Sequence, residues 1–255
     1  MDSTRRTALV AGLFYLITFA ASIPAVFLLA PVLNHPGYIA GPGADTRVLW
    51  GCFLDLVNAL ACIGTAVALF PVVRRQNEAG ALGFVTSRML EAAIIVIGVI
   101  SLLAVVTLRQ DLASAPGTDT ASLVTTGRAL VAVRDWTFLL GPGLMPGINA
   151  LLLGYLMYRS GLVPRLIPVI GLIGAPLLIA SATAAFFRGD HLVPALAAIA
   201  TVPIFVWELS LGLWLAIKGF KPSPHHGRHG GADGQGVAAD RPRMRPARVR
   251  PSCTT

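Results

Sequence analysis

Six long runs of apolar residues make up most of the chain, and polar or charged residues collect between them. The runs cover residues 8–30, 49–73, 82–108, 136–158, 166–187 and 192–217. Each is close to the ~20 residues that an α-helix needs to cross a hydrocarbon layer of ~30 Å. Their apolar residues are continuous and do not alternate with a period of two, as membrane β-strands do. Because lipid cannot hydrogen-bond the backbone, the pattern predicts six membrane-spanning helices, here called spans 1 to 6.

Composition supports a membrane protein. Of 255 residues, 55% are hydrophobic and 13% charged, whereas ordinary soluble domains have roughly 25% charged residues. The mean hydropathy is +0.72. The predicted fold class is therefore an all-α, polytopic transmembrane helix bundle over residues 1–220. After Phe220 the sequence becomes rich in His, Gly, Pro and Arg, so residues 221–255 are predicted to form a disordered basic tail.

The distribution of basic residues predicts the orientation. The segments on the side of the N-terminus hold more Lys and Arg than the segments on the other side, which favours a cytoplasmic location for both termini. The first set is Arg5, Arg6, Arg74, Arg75, Arg159, Arg165, Lys218 and Lys221, and the second is Arg47, Arg109, Arg128, Arg134 and Arg188. Span 1 has an apolar run longer than the 7–15 residues of a signal peptide, so it is expected to be a retained helix.

Ionisable residues inside the spans are the main candidates for a functional site. A charge at the bilayer centre costs from ~3 to more than 10 kcal/mol, so such residues should face the bundle interior. With a rise of 1.5 Å per residue, Arg88 lies about 9 Å from one boundary, and Glu91 and Glu208 each lie about 13 Å from the same boundary. The three are predicted to form a network between spans 3 and 6. The candidate binding residues are Arg88, Glu91, Glu208, Asp55, Asn58 and Asn149.

Asp55 belongs to a different layer, about 9 Å from the opposite boundary. Its expected cationic partner is Arg109 or Arg134, and Asn58 could join the central residues. Two interpretations of the Arg88 network stay open. It is either an ion-paired clamp that fixes the helix register, or a site in which Arg88 holds an anion and a carboxylate exchanges a proton.

Span 4 is interrupted by a run of glycine and proline. Proline removes a helix hydrogen bond and clashes with the preceding turn, so the helix should be kinked or unwound there. The residues of this predicted break are Gly141, Pro142, Gly143, Pro146 and Gly147. A kink with close packing is favoured, and the alternative is a transporter binding site. Before span 4, residues 122–135 are predicted to form a short helix, either on the surface or extending the span.

Soluble-enzyme motifs such as a phosphate-binding glycine loop, HExxH, CxxC or GxSxG are missing from the sequence. The histidines of the tail, His225, His226 and His229, have no carboxylate or thiol placed to complete a metal site. We therefore expect no cofactor, no metal and no nucleic-acid partner. The predicted partners are membrane lipids, with anionic headgroups attracted to the basic tail at about 1 kcal/mol per charge.

Four segments carry a resemblance to a known family. They are AGLFYLI at 11–17, PVVRRQNE at 71–78, LGFVTSRMLE at 82–91 and LLGYLMYRSGLVPR at 152–165. Over roughly residues 5–218 the chain resembles domain-of-unknown-function family 4386, bacterial multi-pass membrane proteins. The glycine and proline run of span 4 and the basic tail depart from the family pattern. The resemblance implies the topology and a location in the bacterial plasma membrane, and it implies no activity.

These observations predict a non-enzymatic membrane protein that binds a lipid, a small solute or a partner protein through the Arg88 layer. The alternative function is a small-solute transporter or channel that uses the break in span 4. An intramembrane enzyme is the third hypothesis.

Overall fold

The computed structural model describes residues 3–35, 37–41, 43–112, 119–188 and 194–221. Over these residues the chain is helical between short connections. The helices are α1 (Ser3–Asn34), α2 (Asp45–Val73), α3 (Glu78–Leu112), α4 (Thr120–Leu140), α5 (Met145–Ser160), α6 (Leu166–Arg188) and α7 (Pro194–Ile217), with a single 3-10 turn at Tyr38–Ala40. The predicted tail lies outside the described residues, apart from Lys221.

Six helical segments are long and apolar enough to cross a membrane, which confirms the predicted all-α fold class. Five of them are single helices. The fourth, Thr120–Ser160, combines α4 and α5 and is 41 residues long. It begins well before residue 136, where the apolar run predicted its start. Residues 122–135 therefore extend span 4, which was one of the two alternatives for that segment.

The helices form a closed ring. Neighbours along the chain pack together, and α7 returns to pack against α1. We call the end of the bundle that carries residues 3–8, 160–166 and 215–221 the N-terminal end. The end that carries residues 37–41, 43–45, 109–112 and 119–128 is called the far end. A hydrophobic core fills each half, and large apolar side chains such as Phe27, Leu82 and Phe187 are exposed around the outside. Such a surface is suited to lipid.

The α1–α7 contact that closes the ring depends on two glycines. A Cβ atom added to Gly12 would lie 2.5 Å from the backbone nitrogen of Ala216 and 2.7 Å from the carbonyl oxygen of Gly212. Small residues at such a crossing let two helix backbones approach closely, which is a common basis of helix association in membranes. The ring is therefore closed by backbone-to-backbone packing.

Arg5 stabilises the same junction from the N-terminal end of the bundle. Its guanidinium donates to the carbonyl oxygens of Leu215, Ala216 and Ile217, at 3.0, 2.9 and 2.9 Å. These carbonyls belong to the last turn of α7, where a helix lacks internal donors and where its dipole favours a cation.

Replacement of Arg5 by alanine is expected to destabilise the protein by about 1 kcal/mol, because the last turn of α7 loses its cap. Thermal unfolding in detergent measures the loss, and faster amide exchange at Lys218 and Gly219 would locate it. Arg6→Ala, one residue further along the same helix, is the control. Equal effects of the two substitutions would contradict a specific role of Arg5.

Candidate functional site

The central charge cluster consists of Arg88 and Glu91 on α3 and Glu208 on α7. The Nη1 atom of Arg88 donates to Oε2 of Glu91 at 3.0 Å, and its Nη2 atom donates to Oε1 of Glu208 at 2.6 Å. The exposed fractions of the three side chains are 2%, 5% and 13%. The structure thus brings together the three residues that the depth estimate placed in one layer, and Arg88 uses both carboxylates.

Three further helices complete the surroundings of the cluster. Asn149 on α5 donates through Nδ2 to Oε2 of Glu91 at 2.7 Å. The guanidinium of Arg88 lies 5.2 Å from the centre of the Tyr15 ring on α1, and its Nη1 atom is 3.7 Å from the sulfur of Cys62 on α2. Five helices therefore meet at the cluster, and every one supplies a polar or aromatic group.

The local sequence explains this arrangement. Arg88 and Glu91 are three residues apart, so they lie on the same face of α3. Further along α3 towards the N-terminal end, Gly83 and Gly80 lie opposite Leu152 and Leu156 of α5. Gly80 makes the tighter of the two contacts, because a Cβ atom there would lie 3.3 Å from Cδ2 of Leu156. The antiparallel register that results brings Asn149 to the level of Glu91.

The cluster contains two carboxylates and one guanidinium, so it carries a net negative charge when both carboxylates are ionised. It also contains polar atoms without a partner among the described residues. They are Nε of Arg88 and Oδ1 of Asn149, both buried. Buried polar atoms are normally hydrogen-bonded, so these two atoms are positions at which an ordered water can bind.

A second ion pair lies closer to the far end of the bundle. Nη2 of Arg134 on α4 donates to Oδ2 of Asp55 on α2 at 3.0 Å, and the exposed fractions of the two side chains are 9% and 10%. Gly98 on α3 makes room for this pair, because a Cβ atom there would lie 3.0 Å from Cδ of Arg134. Of the two predicted partners of Asp55, the structure selects Arg134.

The pair borders a small cavity of about 40 Å³, which is also lined by Asn58, Thr137 and Pro142. Asn58 was predicted as a companion of the central cluster, and the structure places it beside Asp55 in this cavity. The other predicted partner, Arg109, lies at the far end of the bundle, where it pairs with Asp45 and donates to the carbonyl oxygen of Gly41 at 3.0 Å.

The break in span 4 is shorter than the sequence suggested. It covers Gly141–Leu144, between the end of α4 and the start of α5. Pro146 and Gly147 lie in the first turn of α5, not in the break. Proline is accepted there because the first backbone N–H groups of a helix have no internal partner. Gly147 instead serves packing, since a Cβ atom there would lie 2.9 Å from Ile179 on α6.

A larger cavity, of about 220 Å³, opens at the far end. Apolar residues of α1, α3 and α4 line it, together with His35, Tyr38, Arg128 and Asp135. The Tyr38 hydroxyl donates to Oδ1 of Asp45 at 2.8 Å. Burial, followed by this hydrogen bond to Asp45, raises the pKa of Tyr38, so the phenol stays protonated. Sequence reasoning missed this cavity, because its wall is the part of α4 that precedes the apolar run.

The fold and the buried charges indicate the class of protein, and the comparison with known families then gives the family. Six apolar spans with ion pairs enclosed between them are the architecture of a multi-pass membrane protein. The family described as Domain of unknown function (DUF4386) matches residues 10–219, and the chain belongs to it. The predicted resemblance is thereby confirmed. Comparison with curated proteins and with solved structures finds no match.

Proposed function

We propose that this membrane protein is a non-enzymatic binding protein whose central charge cluster takes up one small cation, for which a proton is sufficient. The observation that carries the proposal is the ratio of two carboxylates to one guanidinium at a site with side-chain exposures of 2%, 5% and 13%. An uncompensated charge in such surroundings costs several kcal/mol. Binding of one cation makes the cluster neutral.

The contacts of Arg88 favour a cation over an anion as the ligand. Both terminal nitrogens of its guanidinium already donate to Glu91 and Glu208. An anionic headgroup or solute would add a further negative charge to a site that already holds two carboxylates against one guanidinium. The unpaired Oδ1 of Asn149, in contrast, is an acceptor beside Glu91 and suits a cation or a protonated group.

A location in the bacterial plasma membrane, with both termini in the cytoplasm, belongs to the same proposal. The distribution of Lys and Arg between the two sides supports the cytoplasmic location of the termini. Lipids are the expected neighbours of the apolar outer surface, where side chains such as Phe27 and Phe187 are 66% and 80% exposed.

Transport is a second candidate function, and one observation favours it. Asn149, which bonds Glu91, belongs to the helix that follows the break at Gly141–Leu144. Movement of α5 relative to α4 at this break would therefore change a direct contact of the cluster. Unwound backbone at membrane depth is a feature of transporter binding sites.

Infrared difference spectroscopy in lipid nanodiscs tests the proposed function. A pH titration of the wild type should show one buried carboxyl group that exchanges a proton, and Glu91→Gln or Glu208→Gln should remove the signal. Asp45→Asn, which alters a one-to-one pair with Arg109, is the matched control and should retain it. A titration in sodium chloride and in choline chloride separates a sodium ion from a proton. Identical spectra of wild type and both glutamine variants would refute cation uptake.

A further inference from the structure

We propose that the cation of the central cluster is a proton and that it enters from the far end of the bundle, along the face of α2 that carries Asp55, Asn58 and Cys62. The inference rests on the proposed function of the cluster and adds to it the identity of the ion, the route and the side of entry. The N-terminal end of the bundle is closed to the ion.

The route follows a single helix face. Asp55, Asn58 and Cys62 are separated by three and four residues, so their side chains project from the same side of α2. All three are buried, with exposed fractions of 7%, 8% and 2%. Asp55 bonds Arg134 at one end, and Cys62 contacts Arg88 at the other. The face thus joins the two charge sites over about 10 Å of helix.

The cavity of about 40 Å³ lies along this face and has the properties of a hydrated site. A buried water needs roughly 10–15 Å³ of such volume and two to four polar partners. Asp55, Asn58, Arg134 and Thr137 all line the cavity, and Nε of Arg134 is buried without a partner among the described residues. Waters here can relay a proton between Asp55 and Asn58.

The opposite direction along α2 offers no such groups. After Cys62 the buried residues of this helix are Thr65, Ala66, Leu69 and Val73, and the hydroxyl of Thr65 donates to the carbonyl oxygen of Cys62 at 2.7 Å. Leu69 belongs to the hydrophobic core of the N-terminal half, together with Phe84, Leu153, Met157 and others. Apart from Tyr15, which contacts Arg88 itself, the described residues of this core carry no side-chain oxygen.

The same lining distinguishes a proton from a metal ion. Asp55 neutralises the charge of Arg134 there, and a cavity of about 40 Å³ has no room for a hydrated metal ion to pass whole. A proton moves between hydrogen-bonded groups, so it needs no opening of ionic size. On arrival it meets Glu91 and Glu208, which are surrounded by Arg88, Asn149, Cys62 and Tyr15 from the other helices.

Stopped-flow infrared spectroscopy after a pH jump tests the route, because the amplitude of the carboxyl signal reports the cluster and its rate reports the path. Asn58→Leu should leave the amplitude unchanged and slow the rate by about 100-fold, the lower end of the contribution of a positioned proton-transfer group. Asn58→Ser, which retains a polar group, should recover most of the rate. Thr65→Val, on the opposite side of the cluster, is the matched control and should change the rate less than twofold.

A double variant, Asp55→Leu with Arg134→Met, removes the ion pair without leaving an unpaired charge and should slow the rate as Asn58→Leu does. Unchanged rates in both far-end variants, or slowing by Thr65→Val alone, would overturn the route while the amplitude still supports cation uptake. Absence of the carboxyl signal from the wild type would instead refute the proposed function. A carboxyl signal in the wild type that depends on sodium would overturn the assignment of the cation as a proton.

Discussion

Replacement of Arg88 by alanine is expected to destabilise the protein by about 3–5 kcal/mol, the largest effect of any single substitution in the cluster. The substitution leaves Glu91 and Glu208 buried without their cation, and it opens a void between the rings of Tyr15 and Phe84. Thermal unfolding in detergent, followed through tryptophan fluorescence to which the buried Trp207 contributes, measures the loss.

A neutral version of the cluster is the control for this prediction. In the triple variant Arg88→Met, Glu91→Gln and Glu208→Gln no charge is left uncompensated. Replacement of a buried ion network by neutral groups of similar volume is often tolerated. We therefore expect most of the lost stability to return. An Arg88→Ala protein as stable as the wild type would show that the cluster neither clamps the helices nor encloses a net charge.

Substitution of Gly12 by leucine is expected to cost about 3 kcal/mol or more, at or above the upper end of ordinary overpacking. A Cβ atom at this position would meet backbone atoms of Ala216 and Gly212, and backbone cannot rotate away as a side chain can. The α1–α7 contact must therefore separate, and Glu208 on α7 moves away from Arg88. Unfolding by titration with a denaturing detergent measures the cost.

Gly83→Ala is the matched control for Gly12→Leu. Gly83 also lies within a helix and faces another helix, but a Cβ atom there would be 3.5 Å from the Leu152 side chain, which is an ordinary contact. Alanine also has the higher helix propensity. We expect a neutral or slightly stabilising effect. If the Gly12→Leu and Gly83→Ala proteins unfolded at the same detergent concentration, the close crossing of α1 and α7 would be contradicted.

The helices and the central layer were predictable because both follow from counting residues along the chain. The length and continuity of the apolar runs give six spans. A constant rise of 1.5 Å per residue then places Arg88, Glu91 and Glu208 at similar depth without any knowledge of which helices touch. The contact between α3 and α7 followed from the cost of an isolated charge, which leaves a buried arginine few alternatives to the nearest carboxylates.

The remaining features depend on packing that periodicity does not encode. One wall of the far-end cavity is formed by a part of α4 that contains Arg128 and Asp135, so hydropathy placed this part outside the apolar run of span 4. The choice of Arg134 over Arg109 for Asp55 depends on room made by Gly98. The break ends at Leu144 because Pro146 is acceptable in the first turn of α5. A proline in the sequence does not by itself show whether it interrupts a helix or begins one.

The position of the two carboxylates along the chain has a consequence for the assembly of the protein. Glu91 is three residues from Arg88, so α3 enters the membrane with its arginine already able to form a neutral pair. Glu208 arrives 120 residues later, on α7. The net negative charge of the cluster therefore arises when the ring closes. A truncated chain that lacks α7 would contain only the neutral Arg88–Glu91 pair at this site and would not be expected to take up a proton there.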